Sequence, residues 1–206
     1  MKTKKKKKFR EIRYDEKRSA IIESAIKAFG KKGFHATTIE DITDELKLTK
    51  GSLYYYFATK EDLLFEAHIF SLQKVIDNLD EINKTDHPPD VKLKMAIVGH
   101  LKILSKDLEG AFMLQHEFLH LPGEHLERIL SMRDHYERNF VKIIEEGITS
   151  GLFRVKNARL AAFIVLGAIN WFLRWYSSSS SWSIHDISVT YVDLFCNGFL
   201  VIRETD

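Results

Sequence analysis

A single cysteine, Cys196, among 206 residues leaves no partner for an intramolecular disulfide. There is no long uncharged apolar run to span a bilayer, and the amino terminus carries lysines where a cleavable leader would be apolar. Neither export nor membrane insertion is therefore indicated, and the reducing cytoplasm is the expected compartment. Prolines stand only at 88, 89 and 122, where each interrupts a helical pattern. What is abundant is apolar and aromatic: 45% of the chain is hydrophobic, with seven tyrosines, fourteen phenylalanines and three tryptophans. That excludes a disordered chain and allows a substantial core in one domain or two.

The formal net charge of +2 hides an imbalance. Residues 1–60 hold 16 Lys or Arg against 8 Asp or Glu, a net +8, while residues 61–206 hold 15 against 21, a net −6. A basic front end on an acidic body is the footprint of a protein in which one part meets a polyanion. Lys2 and Lys4 to Lys8 supply much of the excess. This run, residues 1–13, is expected to be a disordered, solvated tail that adds nonspecific attraction to nucleic acid.

Between Thr37 and Phe57 the sequence reads as two short helices around a tight turn, a helix-turn-helix pattern. Thr37 or Thr38, with Glu40 or Asp41 three residues on, is expected to cap the first helix, and Thr49 the second. Ile39, Ile42, Leu46, Leu48, Leu53 and Phe57 recur at spacings that put them on facing sides of crossed helices. Lys50, Gly51, Ser52, Tyr54 and Tyr55 are left pointing outward. Small residues at the helix start let a backbone approach a duplex, and the helix amino terminus favours phosphate oxygens. Tyrosine hydroxyls bond phosphates, their rings pack on thymine methyl groups, and a lysine there reaches a guanine edge or a phosphate.

Thr-Thr-Ile-x-Asp-Ile from Thr37, followed by Lys-Gly-Ser-Leu-Tyr-Tyr-Tyr-Phe-x-x-Lys-Glu-x-Leu from Lys50, resembles the DNA-binding domain of TetR-family transcriptional repressors. The likeness runs from about Arg18 to Leu64 and includes Ile22, Ala25, Phe29 and Gly33-Phe34. It implies an all-α homodimer of about nine helices, with an amino-terminal three-helix reading head (residues 14–60) and a carboxy-terminal domain (residues 61–206) that dimerises and binds a small molecule. It also implies that Thr38, Tyr56 and Lys60 anchor the DNA backbone, and the candidate DNA-binding residues are Thr37, Thr38, Thr49, Lys50, Gly51, Ser52, Tyr54, Tyr55, Tyr56 and Lys60. No catalytic residue, cofactor, metal or membrane partner is expected.

The remaining pattern is helical. A first long helix is expected from Asp15 to Phe29, stopped by Gly30 and Gly33; a helix capped by Thr59 and Asp62 reaches Asn83; Pro88-Pro89 then breaks the chain. Further helices are expected over Val91–Lys106, Ala111–His120, His125–Thr149 and, opened by Asn157, Ala158–Tyr176. After serines 177–181, Ser183 with Asp186 opens a last helix carrying Ile187, Tyr191, Leu194, Phe195, Phe199 and Leu200. The segment 158–176 is apolar nearly all round and must be covered on more than one face, which suits a four-helix dimer interface with two helices from each subunit.

His116-Glu117-Phe118-Leu119-His120 matches the H-E-x-x-H helix of zinc peptidases, in which two imidazoles one turn apart bind metal and the glutamate is the base. Position 126, where the longer motif needs a third histidine, is Leu126, and His125 is one place early. Glu145 or Glu146 would have to supply that ligand, so a zinc metallohydrolase is the alternative and a regulator the main reading.

Within the TetR family a second likeness concerns the effector domain. Leu119-His120-Leu121-Pro122, Arg133 to Arg138 with Glu145-Glu146-Gly147, and Asn170 to Tyr176 resemble members that sense acyl-coenzyme A thioesters of fatty-acid or sterol breakdown. This implies an apolar acyl pocket with cationic and aromatic groups at its mouth, and an inducer of the long-chain acyl-CoA class. The candidate ligand residues are Phe112, Met113, His116, Asn170, Trp171, Arg174 and Trp175. Arg174 is expected to be buried with an anionic partner, either the ligand or a side chain such as Asp193. A multidrug-type regulator with a hydrophobic effector is the remaining alternative.

Overall fold

A computed structural model describes the backbone of residues 2–177 and 179–199 and the side chains of residues 11–177 and 179–197. Its regular elements are helices: α1 (Lys2–Lys32), α2 (Ile39–Glu45), α3 (Lys50–Tyr54), α4 (Lys60–Lys84), α5 (Pro89–Lys106), α6 (Leu108–His116), a 3₁₀ turn (Glu117–His120), α7 (Gly123–Thr149), α8 (Ala158–Trp175) and α9 (Ile184–Phe199). The expected Leu200 and the side chain of Phe199 lie outside the described residues.

Helix starts follow local chemistry. Asp62 N–H donates to Thr59 Oγ1 at 3.0 Å while Thr59 N–H donates to Asp62 Oδ2 at 3.1 Å, a reciprocal cap for α4. Asn157 accepts from Leu160 N–H at the start of α8, and Ser183 with Asp186 repeats the reciprocal cap at α9. Pro89 begins α5 at a position where no backbone N–H is needed.

The chain folds as two compact units. The first comprises residues up to Ser71 together with Glu109–Ile129; the second comprises Leu72–Leu108 and the residues from Leu130 onward. In the first, Ile22, Ala25, Ile26 and Phe29 of α1 close on Ile42 of α2, Leu53 of α3, Leu63 and Leu64 of α4 and Met113 of α6. Segment 109–129, which the sequence assigns to the carboxy-terminal domain, thus belongs with the head, because Met113, Leu121 and Ile129 are part of the head's core. Gly30 does not stop α1, which continues to Lys32; a Cβ on Gly30 would stand 2.3 Å from the Glu109 carbonyl oxygen, so glycine admits the α6 backbone there. The turn that ends α1 is made by Gly33, at φ +78°.

Where the sequence suggests a disordered tail, the backbone of residues 2–13 is helical and continuous with α1. Lysine is a good helix former, neither glycine nor proline intervenes before Gly30, and the downstream turns already supply the costly nucleus.

In the second unit α5 packs against α8 and α9. Its core joins Leu93, Ile97 and Leu101 to Phe140, Ile143 and Ile144 of α7 and to Val165, Ile169 and Phe172 of α8. Lys92, buried, reaches Glu146 Oε2 at 3.0 Å. His100 and the Tyr136 hydroxyl lie 2.8 Å apart, both buried; burial alone lowers the His100 pKa to about 4 and raises that of Tyr136. The Arg133–Arg138 stretch knits α7 to its neighbours: His135 faces Asp80, Tyr136 meets His100, and Glu137 accepts from Arg159. Gly147 leaves room for the Phe153 ring, whose nearest carbon would be 2.1 Å from an added Cβ.

Helix α8 is long and apolar enough to cross a membrane by length and composition. One side of it packs through Ala161, Ala162, Val165, Ile169 and Phe172. The other is bare: Leu160 is 58% exposed, Ile164 63% and Trp171 64%.

Candidate nucleic-acid interface

Helix α2 is started by a reciprocal cap in which Asp41 N–H donates to Thr38 Oγ1 at 3.1 Å and Thr38 N–H donates to Asp41 Oδ2 at 2.8 Å. Lys32 Nζ stands 2.6 Å from the other Asp41 oxygen, and that ammonium, with the two Thr38 donors, holds the Asp41 pKa at about 2. Thr38 rather than Thr37 is therefore the cap. Thr37, proposed as a DNA contact, is instead buried, with its hydroxyl donating to the Gly33 and Ala28 carbonyls. The turn after α2 uses Lys47 at φ +53°, a left-handed backbone at a residue whose type gives no signal for it.

Thr49 Oγ1 accepts the Ser52 N–H at 3.2 Å and so opens α3. Leu53 is its buried anchor, and Phe57 is buried just beyond it. Lys50, Gly51, Tyr54 and Tyr55 are exposed and Ser52 half-exposed, all on the surface that Leu53 turns outward. A Cβ on Gly51 would meet nothing nearer than Thr49 Oγ1 at 4.0 Å, so the protein's own packing does not demand glycine there.

Two expected backbone anchors are engaged internally. Tyr56 is half-buried, its ring 4.7 Å from that of Tyr14, and desolvation raises the pKa of its hydroxyl. Lys60 lies with Nζ 4.3 Å from the centre of the Phe34 ring, and desolvation lowers its pKa. Tyr14, which the sequence does not single out, joins Tyr55 and Tyr56 in one exposed-to-half-buried aromatic cluster. It sits one residue before the expected start of the first helix, and its role depends on α1 extending further back.

The H-E-x-x-H reading is corrected by backbone geometry. Helix α6 ends at His116 and residues 117–120 form a 3₁₀ turn, so the two imidazoles are not one α-turn apart on a common face. His116 stacks on Phe112 and bonds its carbonyl at 3.0 Å through Nδ1. Glu117 accepts the Phe34 N–H at 2.8 Å, and His120 stacks on Phe34 with Nδ1 3.2 Å from His35 Nε2. Glu146, a candidate third ligand, is paired with Lys92. The motif thus braces the turn between α1 and α2.

The seven candidate ligand residues are drawn from both compact units. Phe112, Met113 and His116 belong to the first unit, where Met113 is core, and Asn170, Trp171, Arg174 and Trp175 to the second. Arg174 is exposed, not buried, because α8 turns that side away from its packed face. Trp175 lines an open cavity of about 290 Å³ with Trp182, Asp186, Ile187, Thr190 and Tyr191. A second cavity of about 460 Å³, between α5 and α9, is lined by Lys94, Val98, Lys102, His185, Ser188, Val189, Val192 and Asp193. Sequence periodicity could not reveal it, since α5 and α9 are remote in the chain.

Among the described residues, a capped, outward-facing short helix follows α2 after a tight turn, the geometry of a helix-turn-helix. Residues 21–67 match the family of bacterial regulatory proteins named tetR, and residues 86–199 match the tetracyclin repressor-like carboxy-terminal domain. The chain belongs to the TetR family of transcriptional regulators. It is 24% identical to the fatty acid metabolism regulator protein of Bacillus subtilis over 180 residues, covering 86% of this chain and 93% of that protein. The crystal structure of the TetR-family regulator PfmR from Thermus thermophilus superposes with a TM-score of 0.80 at 26% identity, covering 86% and 97% of the two chains. AibR, solved with isovaleryl coenzyme A and operator DNA, shares the fold with a TM-score of 0.80 at 21% identity, over 86% of this chain and 96% of AibR.

Proposed function

We propose that this regulator is a homodimeric repressor that reads palindromic operator DNA through α3 and is released by an inducer of the long-chain acyl-CoA class. One observation carries the DNA reading: Leu53 anchors α3 from below while Lys50, Gly51, Ser52, Tyr54 and Tyr55 face outward, with a glycine that packing does not require. Lys50 and the tyrosines meet bases or phosphates, and Gly51 lets the backbone come close. Thr38 is exposed and near the same surface, whereas Tyr56 and Lys60 need to rearrange to reach a phosphate.

Two-fold operators need a two-fold protein. The bare α8 face of Leu160, Ile164 and Trp171, with Leu194 exposed on α9, supports a second copy as its cover. An inducer lowers DNA affinity only by its preference for the conformation that fits DNA worse. Helix α4 has residues in both compact units, a continuous element through which such a preference would be transmitted. The acyl-CoA class is supported by the likeness to a fatty acid metabolism regulator of Bacillus subtilis, by the isovaleryl coenzyme A bound in AibR, and by the cavity between α5 and α9, whose lining combines valines with Lys94 and Lys102.

Two measurements test this. In a gel-shift titration on an operator selected from random sequence, Tyr54→Ala and Lys50→Ala each weaken binding; no change in either refutes the assignment of α3. In a thermal-shift series, long-chain acyl-CoA raises the melting temperature by mass action. Failure of every chain length, with success of a hydrophobic drug, would turn the reading to a multidrug-type regulator.

A further inference from the structure

The four carboxylates of α2 are unevenly employed. Asp41 completes the cap and pairs with Lys32, Glu45 accepts from Lys27 and from Ser24, and Glu40 pairs across the turn with Lys50 of α3. Glu40 has no part in the cap; besides its pair with Lys50 it gives a modest match to the helix dipole. It sits instead beside the lysine that the repressor reading assigns to DNA. Both side chains are about half exposed, Glu40 at 53% and Lys50 at 56%, so a duplex reaches either without unfolding anything.

Charge makes this pair matter. Residues 14–60 contain 8 Lys or Arg against 7 Asp or Glu, so the reading head itself is almost neutral, and the excess of the first 60 residues lies in 1–13, with 8 against 1. Lys27 and Lys32 are already held by α2 carboxylates. One more free cation, or one fewer anion, is therefore a large fraction of what the head presents.

We propose that Glu40 is a specificity-determining residue: its carboxylate occupies the Lys50 ammonium in the free protein and yields it only where the duplex offers Lys50 a well-placed acceptor. On an arbitrary sequence the exchange is poorly compensated, and the released carboxylate faces phosphates. On the operator, a base edge or phosphate in reach of Lys50 offsets the lost pair. Glu40 thus weakens all binding but weakens wrong sites more. The inference rests on the repressor reading.

The test is fluorescence anisotropy with the full-length protein on an unrelated duplex and on an operator selected from random sequence, each over a range of salt. Glu40→Gln keeps shape and removes charge. It is expected to tighten binding to the unrelated duplex by about 3- to 10-fold, the size of one unit charge a few ångströms away in water. The operator should gain less, so the ratio between the two falls. The slope of log K against log salt should steepen by about one, as freed Lys50 neutralises a further phosphate. Placed on Lys50→Gln, the same change should lose most of its effect. Glu40→Lys should exaggerate every trend and gives a second reading if glutamine upsets α2. Equal affinity of E40Q and wild type for the unrelated duplex overturns the inference alone, as does an equal gain on both duplexes. Wild-type protein that binds no duplex overturns the repressor reading and this inference with it.

Discussion

If α8 carries the proposed two-fold interface, replacing Trp171 by aspartate should leave the protein monomeric, and the size of the effect follows from α8. Trp171 is almost two-thirds exposed in the single chain, which is about 150 Å² of mostly apolar surface. At about 25 cal/mol per Å², covering it contributes close to 4 kcal/mol per subunit, and a two-fold interface counts it twice. Ordering and association costs take back part of this. Aspartate loses that burial and places a carboxylate between subunits, a desolvation cost that Arg174, three residues further along α8, offsets only in part. The dissociation constant of the dimer should therefore rise by at least about a thousandfold, equivalent to about 4 kcal/mol. Gly167, on the same face, has open space where a Cβ would stand and leaves room for a neighbouring backbone. Sedimentation equilibrium across micromolar to nanomolar protein measures the change, with Trp171→Ala as the milder partner. A monomeric wild type, or a W171D protein that dimerises within about tenfold of it, would refute the assignment of this face.

Two further predictions concern stability. His100 takes a proton below about pH 6.5 when unfolded and only below about 4 when folded, so the unfolded chain binds more protons in between. Stability should be flat above pH 6.5 and fall as pH drops from 6.5 towards 4, by on the order of 3 kcal/mol. Urea titrations across that window check it, and the paired change His100→Leu with Tyr136→Phe should flatten the dependence. Gly30→Ala would stabilise an isolated helix by about 1 kcal/mol. Here the added Cβ meets the Glu109 backbone at 2.3 Å, so a net loss of about 1–3 kcal/mol is expected, read as a lower midpoint in urea.

The helix starts and the outward-facing residues of α3 were legible in the sequence because they are set by residues three or four apart. Thr38 with Asp41, Thr49 with Ser52, Thr59 with Asp62, Asn157 with Leu160 and Ser183 with Asp186 each satisfy backbone donors within one turn. The buried Leu53 and the exposed Lys50, Tyr54 and Tyr55 follow from helical period on one short element. The family likeness extends this to the whole head.

What a side chain faces across the chain was decided only by tertiary structure. Thr37 and Thr38 are adjacent and equally able to cap, yet one hydroxyl is drawn into the core by the Gly33 turn while the other stays out. His116 to His120 spells a metal motif, but a change from α to 3₁₀ geometry after His116, fixed by the Glu117 bond to Phe34 N–H, gives those residues a bracing role. Arg174 reads as buried because its neighbours are apolar; the packed side of α8 is the one carrying Ala161, Val165 and Ile169, and Arg174 is not on it. The Glu40–Lys50, Lys92–Glu146 and His100–Tyr136 pairs join residues 10, 54 and 36 positions apart. Period and capping act along the chain over a few residues and so are written in it, whereas pairing and burial depend on which helix arrives alongside.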